Sequence, residues 1–374
     1  MAAQARKNPP FRAEHIGSFV RPEPLLNAAR ARKAGKITDE ALKEAADQAI
    51  VEIVRFQESL GMPSVTDGEF RRRSWSAGFI DAVDGFGLRE GTIEFRTQGS
   101  GKGAELSPYA KARLQRKRAI AADEFAFLKS AVRQGTPKTT IPAPDVMHYF
   151  MGPRAVDEAV YPDMEQFFAD LARIYREEIA ELGKRGCRYL QIDDTAIPCN
   201  CDEHIRASVK KRGEDPDALT ARYVRLLNDA IRGRPADMTV GVHMCRGNLK
   251  GTWMAEGGYE PIAEQLFNGA DVDVFFLEFD TPRAGDFTPL RHVPKGKSVV
   301  LGLISSKTPV LESKDEIRRR IDEAARHIDL DRLGLSPQCG FSSGGGSGQT
   351  VGRDDERRKL ELVLEVAHDV WGGH

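Results

Sequence analysis

His243-Met244-Cys245 places an imidazole and a thiol two residues apart. On a strand, residues with that spacing point to the same face. Met238 to Cys245 has the apolar, β-type character of a strand, so the pair would stand at its C-terminal end. Glu278 closes a similar run, Val272 to Glu278, and Cys339 follows a third, Leu333 to Ser336. One imidazole, two thiolates and one carboxylate are a suitable set for tetrahedral zinc. The plainer alternative is a core histidine beside inert buried cysteines, and His-x-Cys spacing alone does not exclude it. Of the other thiols, Cys187 reads as core. Cys199-Asn200-Cys201 with His204 has no apparent fourth ligand nearby.

Two thiolates would bear on mechanism. They already neutralise the cation, which makes the ion a poor activator of water. Such an ion suits an incoming thiol, whose pKa it lowers so that a nucleophilic thiolate exists at neutral pH. Glu278 would be the weakest ligand and the one to leave when a substrate sulfur arrives. Hydrolysis by metal-bound hydroxide is the rival chemistry.

Other strand ends supply polar groups. His15-Ile16-Gly17-Ser18 ends a first strand, Phe11 to Ser18, where Gly17 lets a ligand approach backbone N–H groups. Asp67-Gly68-Glu69 follows a second, Ser64 to Asp67, and Asp193-Asp194 ends a fourth, Arg188 to Asp193. A carboxylate-binding turn beside Glu69 and Asp193 would suit an amino-acid zwitterion. Helix caps and solvated loop charges are the commoner fate of such residues.

The elements that must position these groups alternate between short β runs and helices. Thr38 to Leu60, Met164 to Leu182, Pro216 to Ile231, Lys314 to His327 and Asp354 to Trp371 read as helices. Gly183 is the expected stop of the second. With Thr139 to Pro142 and Ser298 to Ile304, the strands number eight. Eight β/α units in 374 residues predict a single-domain (β/α)₈ TIM-type barrel, with a doubly wound sheet as competitor. Residues 84–128 form an expected excursion after the second strand, containing a helical run from Pro108 to Leu128. The Gly- and Ser-rich Gly340 to Gly352 is short enough to be a mobile active-site loop.

Composition narrows the partners. The 55 basic and 56 acidic residues nearly cancel, so no bulk charge draws the chain to nucleic acid or an anionic membrane. Trp75, Trp253 and Trp371 are scattered and form no nucleic-acid platform, and Arg318 to Arg320 reads as a solvated helix face. No apolar run nears the roughly 18 residues of a membrane span. Met1 to Pro10 has no apolar stretch after its basic residues, so no signal peptide is expected. Five cysteines at these spacings make no disulfide framework. The expected location is the cytoplasm, and a homo-oligomer stays open.

Taken together, Arg12-Ala13-Glu14-His15-Ile16-Gly17-Ser18-Phe19, Thr66-Asp67-Gly68-Glu69, Gln191-Ile192-Asp193-Asp194, Val242-His243-Met244-Cys245, Glu278 and Ser336-Pro337-Gln338-Cys339-Gly340-Phe341 resemble a known pattern. The chain resembles the catalytic barrel of cobalamin-independent methionine synthase, within the wider methionine synthase/uroporphyrinogen decarboxylase-like superfamily. The resemblance covers roughly residues 11 to 370 and is of the shorter, single-barrel type. It implies zinc held by His243, Cys245, Glu278 and Cys339. It implies an amino-acid thiol, typically homocysteine, with its amine near Glu69 and Asp193 and its carboxylate at Ile16-Gly17-Ser18. The reaction it implies is in-line attack of a thiolate on an electrophilic methyl group.

The donor side departs from that pattern. Folate-using members carry Asp-x-His-Ser after the seventh strand, whose histidine helps protonate the pterin; here the run is Gly302-Leu303-Ile304-Ser305-Ser306. They also carry a pterin-stacking tryptophan after the third strand, absent from Pro142 to His148. Folate, a corrinoid or another electrophile is therefore open as donor, with His15 or His148 the candidate acid. An epoxyalkane:coenzyme M transferase-like alkylation is the close rival, but retained Glu69 and Asp193 favour a thiol bearing an amine. Uroporphyrinogen decarboxylase-like lyase chemistry needs no metal. A structural zinc would use a closed site of Cys or His ligands.

Overall fold

Alternation along the strands decides which residues face helices and which face inward. The computed structural model describes residues 6–92, 106–248, 251–342 and 350–373. Among these, the strands in chain order are β1 (Ser64–Val65), β2 (Val83–Glu90), β3 (Leu106–Arg116), β4 (Thr136–Pro137), β5 (Thr139–Pro142), β6 (Tyr189–Asp194), β7 (Thr239–Met244), β8 (Val274–Glu278), β9 (Ser298–Ile304) and β10 (Leu333–Pro337). Strands β5 to β10 lie side by side in chain order, every pair parallel. Leu190, Ile192, Val240, Val242, Phe275 and Leu277 join the core built with the connecting helices. The intervening Tyr189, Val274, Phe276 and Val300 pack on the opposite side with Phe11 and Ile16. His243 is in register with Phe276 and with Asp193, so both polar residues fall on this inner side. Glu278, two beyond Phe276, does too.

The ladder does not close into the expected barrel. Phe11 to Ser18 is no continuous strand: it docks on β10 through a parallel bridge, Ala13 to Leu335. β1 pairs with β4, one residue short of β5. Between Ala13 and β1 the described residues show no strand pairing. Side chains span the seam instead. Thr66 Oγ1 donates to the Gly17 carbonyl at 2.6 Å, and Ser64 Oγ to Glu14 at 2.7 Å. Glu14 also accepts from Tyr189 at 2.6 Å and faces Lys138 at 3.3 Å, all three buried. A backbone that must accommodate Gly17 at φ +140° cannot hold strand geometry there.

The helix Asp39–Leu60 shows how the outer layer fixes the inner one. Thr38 Oγ1 caps it by accepting from Ala41 N–H at 3.2 Å, and Gly61, at φ +79°, ends it. Its buried face, with Ile50, Ile53 and Val54, stabilises the packing by about 1.5–3 kcal/mol per side chain. Gln57 on that face pairs with both backbone groups of Thr66, at 2.8 and 2.9 Å. This fixes the chain just ahead of Asp67 and Glu69.

Two expectations need correction. The helix Met164–Lys184 runs through Gly183, which is packed against Pro235; the left-handed residue beyond it is Gly186, at φ +89°. The excursion is a hairpin rather than a helical run from Pro108: β2 and β3 pair antiparallel, and the helix Ala122–Ala131 starts only afterwards. Along β3 Ala110 and Leu114 are buried while Lys111, Arg113 and Gln115 are exposed, and Tyr161 OH accepts from Leu114 N–H at 2.7 Å. The hairpin is anchored at its base by buried Glu178, which accepts from Arg116 and from the N–H groups of Ile120, Ala121 and Ala122. Of the Gly340 to Gly352 loop, residues 343–349 lie outside the described residues.

Candidate active site

His243, Cys245 and Cys339 converge. One ligand atom from each lies within 4.8 Å of the other two, and all three residues are buried. Two come from the end of β7 and one from the turn after β10. Neither His243 ring nitrogen meets a hydrogen-bond partner, an unusual state for a buried imidazole. Burial would depress its pKa, but contact with Cys245 and the charges of Asp193 and Glu278 raise it. The Cys245 thiol is pushed well up by Cys339 and by burial. An orphaned imidazole facing two sulfurs is the donor set of a soft, four-coordinate metal, so these residues fit zinc.

Glu278, the fourth expected ligand, stands outside that group. Oε1 accepts from Arg283 Nη2 at 2.6 Å and Lys307 Nζ at 3.2 Å; Oε2 accepts from the Arg246 N–H at 2.7 Å. Burial alone would raise its pKa, but the charges of Lys307, Arg246 and Arg283 outweigh it and hold the carboxyl at about 2.

The residues expected to bind an acceptor lie next to the thiols. A cavity of about 540 Å³ is lined by Ile16, Ser18, Glu69, Asp193 and the three converging residues. Gln191 orients Asp193 at 2.7 Å and holds the Ile16 carbonyl at 2.6 Å. Burial and the nearby Glu69 raise Asp193 to about 7. Such a pair of buried carboxylates gains by accepting an ammonium. Glu69 is the only non-glycine at positive φ among the described residues, at +61°. That conformation costs about 1–3 kcal/mol and is held by its surroundings. Arg21 donates to the Glu69 carbonyl at 2.8 Å, and Thr140 to its carboxylate at 2.9 Å. Gly17 is required here, since a Cβ would lie 2.8 Å from Thr140 Cγ2 and 3.2 Å from Glu69 Oε1.

Neither expected acid reaches the cavity. His15 is buried with Nε2 at 3.0 Å from the Ser64 carbonyl, and burial with Lys138 nearby drives its pKa well down. His148 contacts Tyr223 OH at 2.7 Å, and burial lowers it to about 3. Both are neutral core imidazoles outside the lining, so the assignment of either as proton donor is withdrawn. Cys187, Cys199 and Cys201 are buried and do not belong to the group of three.

Several site residues had no motif to announce them. Arg72 faces the Glu69 carboxylate and Arg283 and Lys307 face that of Glu278, while Arg21 holds the Glu69 backbone carbonyl. Trp75 and Trp253, scattered in sequence, converge on the cavity, and Arg283 lies 4.8 Å over the Trp253 ring. Phe86, Leu88 and Pro108 of the hairpin line its outer wall. The departure at Gly302 is enforced by packing: a Cβ there would lie 2.7 Å from Gln338 Cα and 2.8 Å from the Leu277 carbonyl, so aspartate does not fit.

The family model for the catalytic domain of cobalamin-independent synthase matches residues 11–368. The chain is 39% identical to the uncharacterized protein YxjH of Bacillus subtilis, over 98% of this chain and 97% of that one. It is 28% identical to a methionine synthase of Pyrococcus abyssi, over 87% and 85%. A solved structure from Listeria monocytogenes, provisionally described as a vitamin-B12-independent methionine synthase, superposes with TM-score 0.74 at 32% identity, covering 98% and 100%. The chain belongs to the family of cobalamin-independent synthase catalytic domains.

Proposed function

We propose that this protein is a zinc-dependent methyltransferase that alkylates the thiol of homocysteine to give methionine, with a donor that need not be folate. The observation that carries it is the convergence of His243, Cys245 and Cys339 beside the Glu69–Asp193 carboxylate pair in one cavity. His243, Cys245 and Cys339 would hold the ion, and zinc bound there would supply a substrate thiol as its thiolate at neutral pH. Glu69 and Asp193 bind the substrate ammonium, and the turn Ile16-Gly17-Ser18 receives its carboxylate. A sulfonate thiol has no ammonium to offer Glu69 and Asp193, which favours homocysteine over coenzyme M-type acceptors. The thiolate sulfur forms a bond to the methyl carbon as the bond from methyl to donor breaks in line.

Trp75, Trp253 and the hairpin give the donor half an apolar, aromatic wall. Among the described residues no histidine stands there to protonate a leaving nitrogen, which favours an activated donor such as a methylcorrinoid. We also read the fold as one β/α barrel domain with its seam at Glu14 to Gly17 closed by side chains. Buried thiols without disulfides fit a reducing, cytoplasmic setting. No described helix is long and apolar enough to cross a membrane.

The test is a screen of zinc-loaded protein with homocysteine, methylcobalamin and methyltetrahydrofolate, with mass-spectrometric detection of methionine. Methionine formed faster from methylcobalamin supports the reading. Absence of any thioether, or preference for a thiol without an amine, contradicts it.

A further inference from the structure

We infer that the methyl donor of this site is a small onium cation, carrying its methyl group on a positively charged sulfonium sulfur or quaternary nitrogen and held against the aromatic wall of the cavity. The inference rests on the thiol-methylation reading above and narrows its donor side.

Four separate connections send a ring to the one cavity. Trp75 precedes the helix Ala77–Ala82, Phe86 lies on β2, Phe150 follows the short helix Val146–Tyr149, and Trp253 lies in the loop after β7. Phe86 is backed by Phe79, with ring centroids 6.2 Å apart, and Phe79 stacks on Tyr175 at 4.9 Å. The face of an aromatic ring is the negative side of its quadrupole, so it attracts a cation, most strongly one that has shed its water. Trp253 already shows this preference, since the Arg283 guanidinium lies 4.8 Å from its centroid.

The charged groups point the same way. Glu69, Asp81 and Asp193 line the cavity, and among the described residues Arg73 is its only lysine or arginine. Asp81 accepts from Arg73 at 2.7 and 2.8 Å. The buried cations nearby lie outside the lining and are engaged elsewhere. Arg72 donates to Thr140 at 2.7 Å and faces Glu69 at 3.8 Å. Arg283 and Lys307 meet Glu278 at 2.6 and 3.2 Å, and Arg246 lies 4.1 Å over the Tyr259 ring. A donor with an anionic tail therefore meets no unengaged cation among the described residues of this wall. A cationic donor meets carboxylates and ring faces.

The chemistry of an onium donor also removes the need for an acid. The thiolate sulfur forms a bond to the methyl carbon. The bond from that carbon to the onium atom breaks, and its electron pair stays on the onium atom, which departs as a neutral thioether or tertiary amine. No proton moves. A methyl group on a neutral nitrogen would instead leave an anion that must be protonated. Before reaction the thiolate and the onium attract each other, and a cavity of low dielectric strengthens that attraction over its value in water.

Zinc-loaded protein with homocysteine tests this against four donors: trimethylsulfonium, tetramethylammonium, methylcobalamin and methyltetrahydrofolate, with methionine measured by mass spectrometry. One of the two onium ions should give the highest kcat/KM, and which one reacts separates sulfonium from ammonium chemistry. Calorimetry on homocysteine-loaded protein supplies a readout without turnover: choline should bind at least about threefold more tightly than its uncharged isostere 3,3-dimethylbutan-1-ol. Trp75→Leu should raise the KM for the onium donor by about threefold or more, and Trp75→Phe, which keeps a ring, should raise it less. Methylcobalamin or methyltetrahydrofolate outrunning both onium ions overturns the inference and leaves thiol methylation standing, and so does choline binding no more tightly than its isostere. Methionine from none of the four donors overturns the thiol-methylation reading and the inference with it.

Discussion

The two halves of the cavity are built by different means. The thiol half is made of strand ends: Asp193 on β6, His243 on β7, and Cys339 just after β10. Sheet register sets Asp193 opposite His243, and Gln191 holds the Asp193 carboxylate. The opposite half is made of connections. Trp75 precedes the short helix Ala77–Ala82, Trp253 lies in the loop after β7, and Phe86 and Leu88 come from an antiparallel hairpin outside the main sheet. Leu88 is 61% exposed, whereas Asp193 is 8% exposed. A rigid, polar half suits one fixed acceptor; an apolar half on loops is free to vary with the electrophile.

The contrast is broken most severely at the thiols. Cys245→Ser or Cys339→Ser should lower zinc affinity more than about 100-fold, while Cys187→Ser leaves zinc content at wild type. Elemental analysis after dialysis against a chelator checks this. Equal losses from all three variants would dissolve the distinction between ligand and core thiols.

Next comes the amine subsite. Asp193→Asn should weaken homocysteine binding by about 1.5–3 kcal/mol, the range for hydrogen bonds to a charged group, with zinc content unchanged. Isothermal titration of the zinc form measures it. Normal binding would remove Asp193 from the acceptor half.

A smaller effect is expected where the two halves meet at the sheet. Gly302→Asp forces a side chain into contact with Gln338 and the Leu277 carbonyl, and should cost about 1–3 kcal/mol of stability. Denaturant unfolding checks this, and the variant should gain no folate-dependent turnover. Unchanged stability would show that the strand end yields more readily than its packing indicates.

The smallest change is on the hairpin. Leu88→Ser should alter stability by less than about 0.5 kcal/mol, as for other exposed positions. It should raise the KM for the electrophile several-fold and leave homocysteine affinity unchanged. Movement of both constants together would mean that the hairpin serves the acceptor as well.

Legibility in the sequence follows the same division. Strand ends are announced by apolar runs that stop at a polar residue, so His243, Cys245, Asp193 and Cys339 stood out. Period-two alternation and register then explain why Asp193, His243 and Cys245 share one face. The hairpin was misread because β3 carries Ala110 and Leu114 four apart, a spacing that also fits a helix; its antiparallel partner, far back at Val83 to Glu90, decides the matter. His15 and His148 attracted attention as residues near strand ends, yet both turn into the core. Glu278 was correctly placed at a strand end, but its partners Arg283 and Lys307 come from two other connections, which no local pattern reveals. The number of strands predicts a closed barrel, but the β ladder of the described residues stays open between Ala13 and β1, where Glu14 and Gly17 are met by side-chain hydrogen bonds instead.

The central claim is that a metal held by one histidine and two cysteines receives the substrate sulfur. Zinc-edge X-ray absorption of the loaded protein, before and after homocysteine, tests it most directly. Two sulfur neighbours near the usual distance of about 2.3 Å are expected in the resting protein, and about three once homocysteine is bound. A sulfur count that stays at two under saturating homocysteine would contradict it.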